Sequence, residues 1–259
     1  MTIASIEHII FLITAALFLW GSMWLVSKMP RRWQNAMFVL AVLVCSGLLF
    51  FQNAMGNDLN REPNWKGLAM SWLQVCSFNF ILVWLMLIPR FELARQYSVF
   101  FSMFAASTTL FALLPEWADR PWYHTSIVVC LTHHLFAIVT PLWMVATRRL
   151  KPRKEYIWKV TACVFVYMTA VAIIVTILMK QGIITNPKPA YSFIYNTTGV
   201  PVFDLLWKFI PVPYFYLFPL GPVMVGFFYL LAYLFRNYEV KPYWIGRREV
   251  YPDGNENHM

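Results

Sequence analysis

Seven runs of about 20 mostly apolar residues, separated by short polar stretches, constrain this chain more than any other feature. They fall at Glu7–Ser27, Asn35–Asn53, Gly67–Ile88, Leu93–Leu114, Tyr123–Thr147, Lys159–Met179 and Pro213–Arg236. A helix of that length crosses a hydrocarbon core about 30 Å thick. It also satisfies its own backbone polar groups, which lipid cannot do. The runs predict an all-α membrane protein: a seven-helix bundle over residues 1–236 and a polar cytoplasmic tail over 237–259. The fourth run is the least regular, because Ser107, Thr108 and Thr109 interrupt it. Composition agrees. Only 13% of the residues are charged and 59% are hydrophobic, against roughly a quarter charged in soluble domains.

The net charge of +9 could suggest a nucleic-acid partner, but its distribution argues against one. Lys28, Arg31 and Arg32 lie between the first two runs, and Arg90 and Arg95 between the third and fourth. Arg148, Arg149, Lys151, Arg153, Lys154 and Lys159 lie between or beside the fifth and sixth. Arg236, Lys241, Arg247 and Arg248 lie in the tail. If the helices alternate, all of these share one side. The other side keeps only Arg61, Lys66, Arg120, Lys180, Lys188 and Lys208. The positive-inside rule then places the N-terminus outside and the C-terminus in the cytoplasm. Read this way, the basic residues are chiefly a topology signal, with attraction to anionic headgroups as a secondary effect. The expected partners are membrane lipids, not nucleic acid. The basic residues of the first run follow its apolar stretch, so it reads as a retained helix rather than a signal peptide.

Cys45, Cys76, Cys130 and Cys163 all lie inside predicted helices without metal-pair spacing. No metal and no cofactor is expected. The longest outer connection, Lys180–Val212, contains Pro187, Pro189, Pro201 and Pro211. Within it, Val202–Ile210 is amphipathic and carries Trp207, which suits a short helix in the outer interface. Pro141 predicts a kink in the fifth helix, and Pro219 and Pro222 predict kinks in the last.

Polar side chains at membrane depth are costly unless they find a partner or water, so they mark candidate sites. The third helix carries Gln74, Cys76 and Asn79; the fifth carries Cys130, Thr132, His133 and His134. Cys76 and His133 both lie about 14–15 Å below the outer end at 1.5 Å per residue. They could therefore meet near the midplane. His8, Gln52, Asn53, Thr108 and Thr109 occupy the outer half, as do Tyr191 and Asp204 of the outer connection. The sum predicts a polar cavity open to the outside, with His133 near its floor. Helix-to-helix hydrogen bonding is the competing role for each of these groups. His134 points about 100° away from His133 around the helix.

The order of these features resembles the YwaF and transmembrane protein 164 family of integral membrane proteins. The resemblance covers residues from about 5 to 236. It rests on Ser5–His8, a basic stretch at Arg31–Gln34, Ser71–Cys76, Cys130–Leu135, Tyr191–Tyr195, the segment around Asp204, and Pro211–Tyr216. The resemblance implies a seven-helix bundle. In animal members it implies acyl transfer on phospholipids through a cysteine and a histidine, with a likeness to membrane hydrolases that use threonine and histidine. Bacterial members are largely without an assigned activity, and a bacterial cell membrane is the expected location here. His133 matches the family's fifth-helix histidine. Where animal members have Cys-His in the third helix, this chain has Leu73 and Gln74. Cys76 lies one turn further on, on about the face of Leu73.

Two classes of function follow. One is a lipid acyltransferase or acyl-ester hydrolase, with Cys76 as nucleophile, His133 as base and Gln74 or Asn79 donating to the oxyanion. The other is a non-catalytic protein that binds or transports a lipid or small molecule, or serves as a partner subunit. No inverted repeat of the kind seen in many transporters is visible.

Overall fold

A computed structural model of the chain describes residues 5–56, 62–111, 120–185, 194–195, 197, 200–240, 243–245 and 248–250. The side chains of residues 75, 76, 79–81, 111, 243–245 and 248–250 lie outside that description. The helices are α1 (Ile6–Lys28), α2 (Arg31–Ala54), α3 (Trp65–Ser71), α4 (Val75–Met86), α5 (Glu92–Tyr97), α6 (Met103–Phe111), α7 (Thr125–Ala146), α8 (Ile157–Lys180), α9 (Pro201–Phe209) and α10 (Leu220–Leu234). A π-helical turn, Ser98–Ser102, joins α5 to α6, and a 3-10 turn, Phe215–Leu217, precedes α10. A two-stranded hairpin in the tail pairs Tyr243–Ile245 with Arg248–Val250.

Among the described residues, five helical stretches are long and apolar enough to cross a membrane: α1, α2, α7, Lys154–Lys180 and Phe215–Leu234. The third and fourth predicted runs are built differently. The expected helix Gly67–Ile88 is interrupted after Ser71 and resumes at Val75. The expected helix Leu93–Leu114 begins at Glu92 and passes through the π turn; Leu114 lies outside the described residues. Hydropathy does not distinguish a straight helix from a broken one here, because Trp72 and Leu73 at the break are large apolar residues and the single polar Gln74 is not enough to end the run.

The kinks predicted at the last helix are also corrected. Pro219 is the N-cap of α10 and Pro222 sits in its first turn. A proline there costs no helical hydrogen bond, because the first-turn N–H groups have no partner within the helix. Pro141 does lie inside α7.

The central element is α7, which packs on α1, α2 and α6. Its buried face runs from Ile127 to Val145. Val139, Trp143 and Val145 join Phe100 of the π turn, Met86 of α4 and Phe228 of α10 in one core. By contrast α1 turns Ile13, Leu17, Trp20 and Trp24 outward, as lipid-facing residues of a bundle do. A tight contact sets α3 against the end of α2. A Cβ added at Gly67 would lie 3.1 Å from the Asn53 carbonyl and 3.0 Å from Asn64 Nδ2.

One end of the bundle closes through a polar network. Arg95 is fully buried and its guanidinium donates to Glu92 (2.9 Å) and to the Arg149 carbonyl. Gln96 donates to Glu92 (2.7 Å) and to the Lys151 carbonyl (2.8 Å), and accepts from the Arg153 N–H (3.0 Å). Arg149 donates to Gln34 (2.9 Å) and Asn35 and lies over the Phe38 ring. Lys151 donates to the Arg236 carbonyl (2.7 Å), and Tyr238 to the carbonyls of Val145 and Ala146. Four stretches that the charge pattern assigned to one side thus meet at one end. Arg95 and Arg149 hold several elements together, as buried charges do when they are retained by hydrogen-bonded partners. Arg148, beside them, takes a left-handed φ of 60°. It is the residue after the cap of α7, in the turn where Arg149 N–H returns to the Met144 carbonyl (2.8 Å).

Candidate functional site

The interruption between α3 and α4 sets the geometry of the candidate site. Leaving the helix after Ser71 frees carbonyls that must find other donors. Tyr167 of α8 donates its hydroxyl to the Trp72 carbonyl (2.9 Å), while its ring stacks on Phe78 of α4, centroids 4.5 Å apart. The N–H groups of Leu73 and Gln74 return to Met70 and Ser71 (3.1 and 2.9 Å). Gln74 becomes the N-cap of α4, half-buried, and Cys76 is the second residue of that helix. The side chains of Cys76 and Asn79 lie outside the described residues.

Residues of the connection between α8 and α10 pack over this break. Leu73 packs with Val171 and Val175 of α8 and with Ile184 and Ile194. Tyr195 bonds to Thr176 and to the Ala172 carbonyl, and Tyr214 to Thr169 (2.7 Å), so two tyrosines fasten the connection to α8. Tyr214 holds a left-handed φ of 70° there, a cost that its hydroxyl bond and its N–H bond to Ile194 (3.1 Å) offset. The amphipathic helix expected in this region is α9, which sets Phe203 and Trp207 edge-on against Tyr216. Asp204 lies half-buried in its first turn, and Tyr191 lies outside the described residues.

On α7, His133 is 3% exposed. Its Nδ1 is buried and has no hydrogen-bond partner among the described residues. Its carbonyl faces the Cys45 thiol of α2 (3.8 Å). The His134 ring lies 4.3 Å from the His133 ring, centroid to centroid, and is also buried. One Cys–His contact was not anticipated: Cys130 Sγ lies 3.6 Å from His134 Nδ1. That nitrogen is also 2.7 Å from the Cys130 carbonyl. A carbonyl only accepts, so Nδ1 carries the proton and cannot remove one from the thiol. The arrangement fixes the ring and leaves Cys130 inert.

The other predicted cavity residues scatter. His8 is buried and bonds through Nε2 to the Leu110 carbonyl (2.9 Å), tying α1 to α6. Asn53 returns its amide to the Leu49 carbonyl (3.0 Å). Gln52 Oε1 is buried without a partner among the described residues. Thr108 is exposed and bonds to the Ala105 carbonyl of its own helix (2.7 Å).

A cavity of about 140 Å³ lies between α2, α3 and α4, lined by Ser46, Leu49, Phe50, Leu68, Ser71, Trp72 and Ser77. Three serines therefore edge the break. Ser46 accepts from Trp84 Nε1 (3.1 Å) and Ser71 donates to the Leu68 carbonyl (2.7 Å). Ser77 Oγ is buried with no partner among the described residues. Sequence reasoning passed over these serines because small hydroxyls usually satisfy themselves within a helix. Only the break gives Ser77 a different role. Among the described residues no group of three or more His, Cys, Asp or Glu is arranged to hold a metal ion.

The model of the TMEM164 family matches residues 3–232, from before α1 into α10. No curated protein and no solved structure matches the chain.

Proposed function

The chain belongs to the TMEM164 family, and from that premise we propose that it is a membrane enzyme acting on acyl esters of lipids. The observation that carries the reading is the Nδ1 of buried His133, which has no partner among the described residues. It lies on α7, a helix that packs against α4. A buried nitrogen without a partner is costly, and a reacting group is one reason to keep it so. Cys76 supplies the nucleophile from the first turn of α4, where the helix dipole favours negative charge. His133 takes the thiol proton, and the thiolate attacks the ester carbonyl. The C–O bond breaks, the departing hydroxyl takes its proton from His133, and the acyl group remains as a thioester. Water or the hydroxyl of a second lipid then attacks the thioester and releases Cys76. Gln74 and Asn79 are the candidate oxyanion donors.

In this reading seven segments cross the membrane, the third as a broken helix and the fourth through a π turn, with the N-terminus outside and the C-terminus cytoplasmic. The convergence of Gln34, Glu92, Arg95, Arg149 and Arg236 at one end supports that alternation. The roof of Ile184, Ile194, Tyr195 and Tyr214 over the break supports a site shielded on the outer side. The rival reading, a binding protein without turnover, uses the same cavity and lacks the covalent step.

Intact-protein mass spectrometry after incubation with dioleoyl phosphatidylcholine tests the reading. An oleoyl adduct removable by neutral hydroxylamine is expected on the wild type and on Cys130→Ala, and not on Cys76→Ala. No adduct on the wild type, or one that persists in Cys76→Ala, removes Cys76 from the mechanism.

A further inference from the structure

The cavity beside the break has a feature that its packing leaves unexplained. Ser77 is 3% exposed, and its Oγ has no partner among the described residues. A buried hydroxyl in that state loses hydrogen bonds it would have made in water. The neighbouring serines are satisfied, Ser46 by Trp84 and Ser71 by Leu68. Apart from the three serines, the walls are apolar, including Leu49 and Leu68. Phe50 and Trp72 also line the space and are 40% and 44% exposed, so it opens sideways to the surface between them. Ser46 lies about 22 Å along α2 from the basic end. At that level a sideways opening meets hydrocarbon chains rather than water.

Size narrows the occupant. A cavity of about 140 Å³ compares with apolar cavities of about 150 Å³ that take up one benzene ring. It has room for a short stretch of chain, not for a lipid headgroup. The occupant is therefore an apolar chain bearing one hydrogen-bond acceptor near its end.

We propose that this cavity receives the first part of an ester-linked acyl chain of a bilayer phospholipid and that Ser77 Oγ–H donates to its ester carbonyl. The inference rests on the reading of the protein as one that handles lipid esters, and names Ser77 as a positioning residue for them. Ser77 adjoins Cys76 in sequence on the first turns of α4. A carbonyl held by Ser77 is thus delivered to the segment that bears the nucleophile.

The test uses the full-length protein in detergent and two photoreactive probes. One is a diester phosphatidylcholine and the other its diether analogue, each with a diazirine near the glycerol end of one chain. Brief illumination in the cold is followed by mass spectrometry of cross-linked peptides. Saturable labelling of Leu68–Ser77 is expected, with the diester half-saturating at a concentration about two- to tenfold lower than the diether, the worth of one neutral hydrogen bond. Ser77→Ala should raise the diester value to that of the diether and leave the diether value unchanged. Ser77→Thr keeps the hydroxyl and should keep the preference. Leu49→Trp fills the space and should abolish labelling by both. Equal half-saturation for the two lipids in the wild type, a Ser77→Ala effect of equal size on both, or labelling that does not saturate would overturn the proposal. Turnover measured on the same samples separates the two readings. An ester preference without turnover keeps the cavity and removes the enzyme; turnover without the preference does the reverse.

Discussion

Tyr167 of α8 donates its hydroxyl to the carbonyl of Trp72, 2.9 Å away, at the point where the third segment stops being a helix. The bond replaces one that the break removed, and stacking of the same ring on Phe78 fixes its approach. Tyr167→Phe keeps the stacking and deletes the bond. The expected cost is about 0.5–1.5 kcal/mol. At about 2–4 °C per kcal/mol for a chain of this size, the thermal midpoint in detergent should fall by a few degrees. An unchanged midpoint would mean that the carbonyl is satisfied another way.

The buried arginines should separate from the exposed basic residues. Arg149→Ala strips donors from Gln34 and Asn35 at once, and Arg95→Ala leaves Glu92 without its closest cation. Removing one member of a buried ion pair typically costs about 3–5 kcal/mol. Lys154 is exposed, and Lys154→Ala should stay within about 0.5 kcal/mol. Midpoints measured side by side check this contrast. Equal effects would return Arg95 and Arg149 to a purely topological role.

Tyr238 lies beyond α10, outside the membrane-spanning stretch, and burial raises its phenol above the ordinary value of 10.0, with Arg148 opposing the shift. The neutral phenol is the form that donates to the carbonyls of Val145 and Ala146. Above pH 10.0 the unfolded chain releases this proton before the folded one does. The folded state then holds more protons, so stability falls as pH rises through that range. Tyr238→Phe should show a shallower alkaline loss than the wild type in a melting series from pH 8 to about 11. Parallel curves would remove Tyr238 as the source.

Topology has its own test. Lys154→Cys should resist a membrane-impermeant maleimide in intact cells, and Gln181→Cys, past the other end of α8, should react. Reaction at position 154 would overturn the proposed orientation.

Much of the bundle was legible because apolar run length and charge placement are direct consequences of the lipid solvent. The runs at α1, α2, α7 and α8 were found within a few residues of their ends. The amphipathic stretch at α9 was equally plain from Trp207 and its apolar neighbours. The break at Trp72–Gln74 was not legible, since one polar residue, Gln74, in an apolar run is no breaker and the bond to the Trp72 carbonyl comes from Tyr167 of α8. For the same reason Ser77 gave no signal, because its orphaned hydroxyl is a property of the break. The burial of Arg95 and Arg149 was hidden as well: a basic residue beside a helix end reads the same whether it faces water or closes a network. The burial of His133 was legible, because a histidine within so apolar a run is costly to leave facing lipid, whereas the Cys130–His134 contact depends on a ring rotation that spacing alone leaves open.

The central claim is that His133 takes part in chemistry on a lipid ester, and lipid turnover against His133→Gln tests it most directly. The substitution roughly keeps the side-chain volume and a hydrogen-bonding group, but it cannot carry a proton between thiol and ester. Wild type and variant are prepared in the same detergent, melted, and incubated with dioleoyl phosphatidylcholine, with lysophospholipid and oleate read by mass spectrometry. The account predicts turnover by the wild type, none above background by His133→Gln, and thermal midpoints within a few degrees of each other. Turnover retained by a folded His133→Gln, or no turnover by the wild type above a protein-free control, would contradict it.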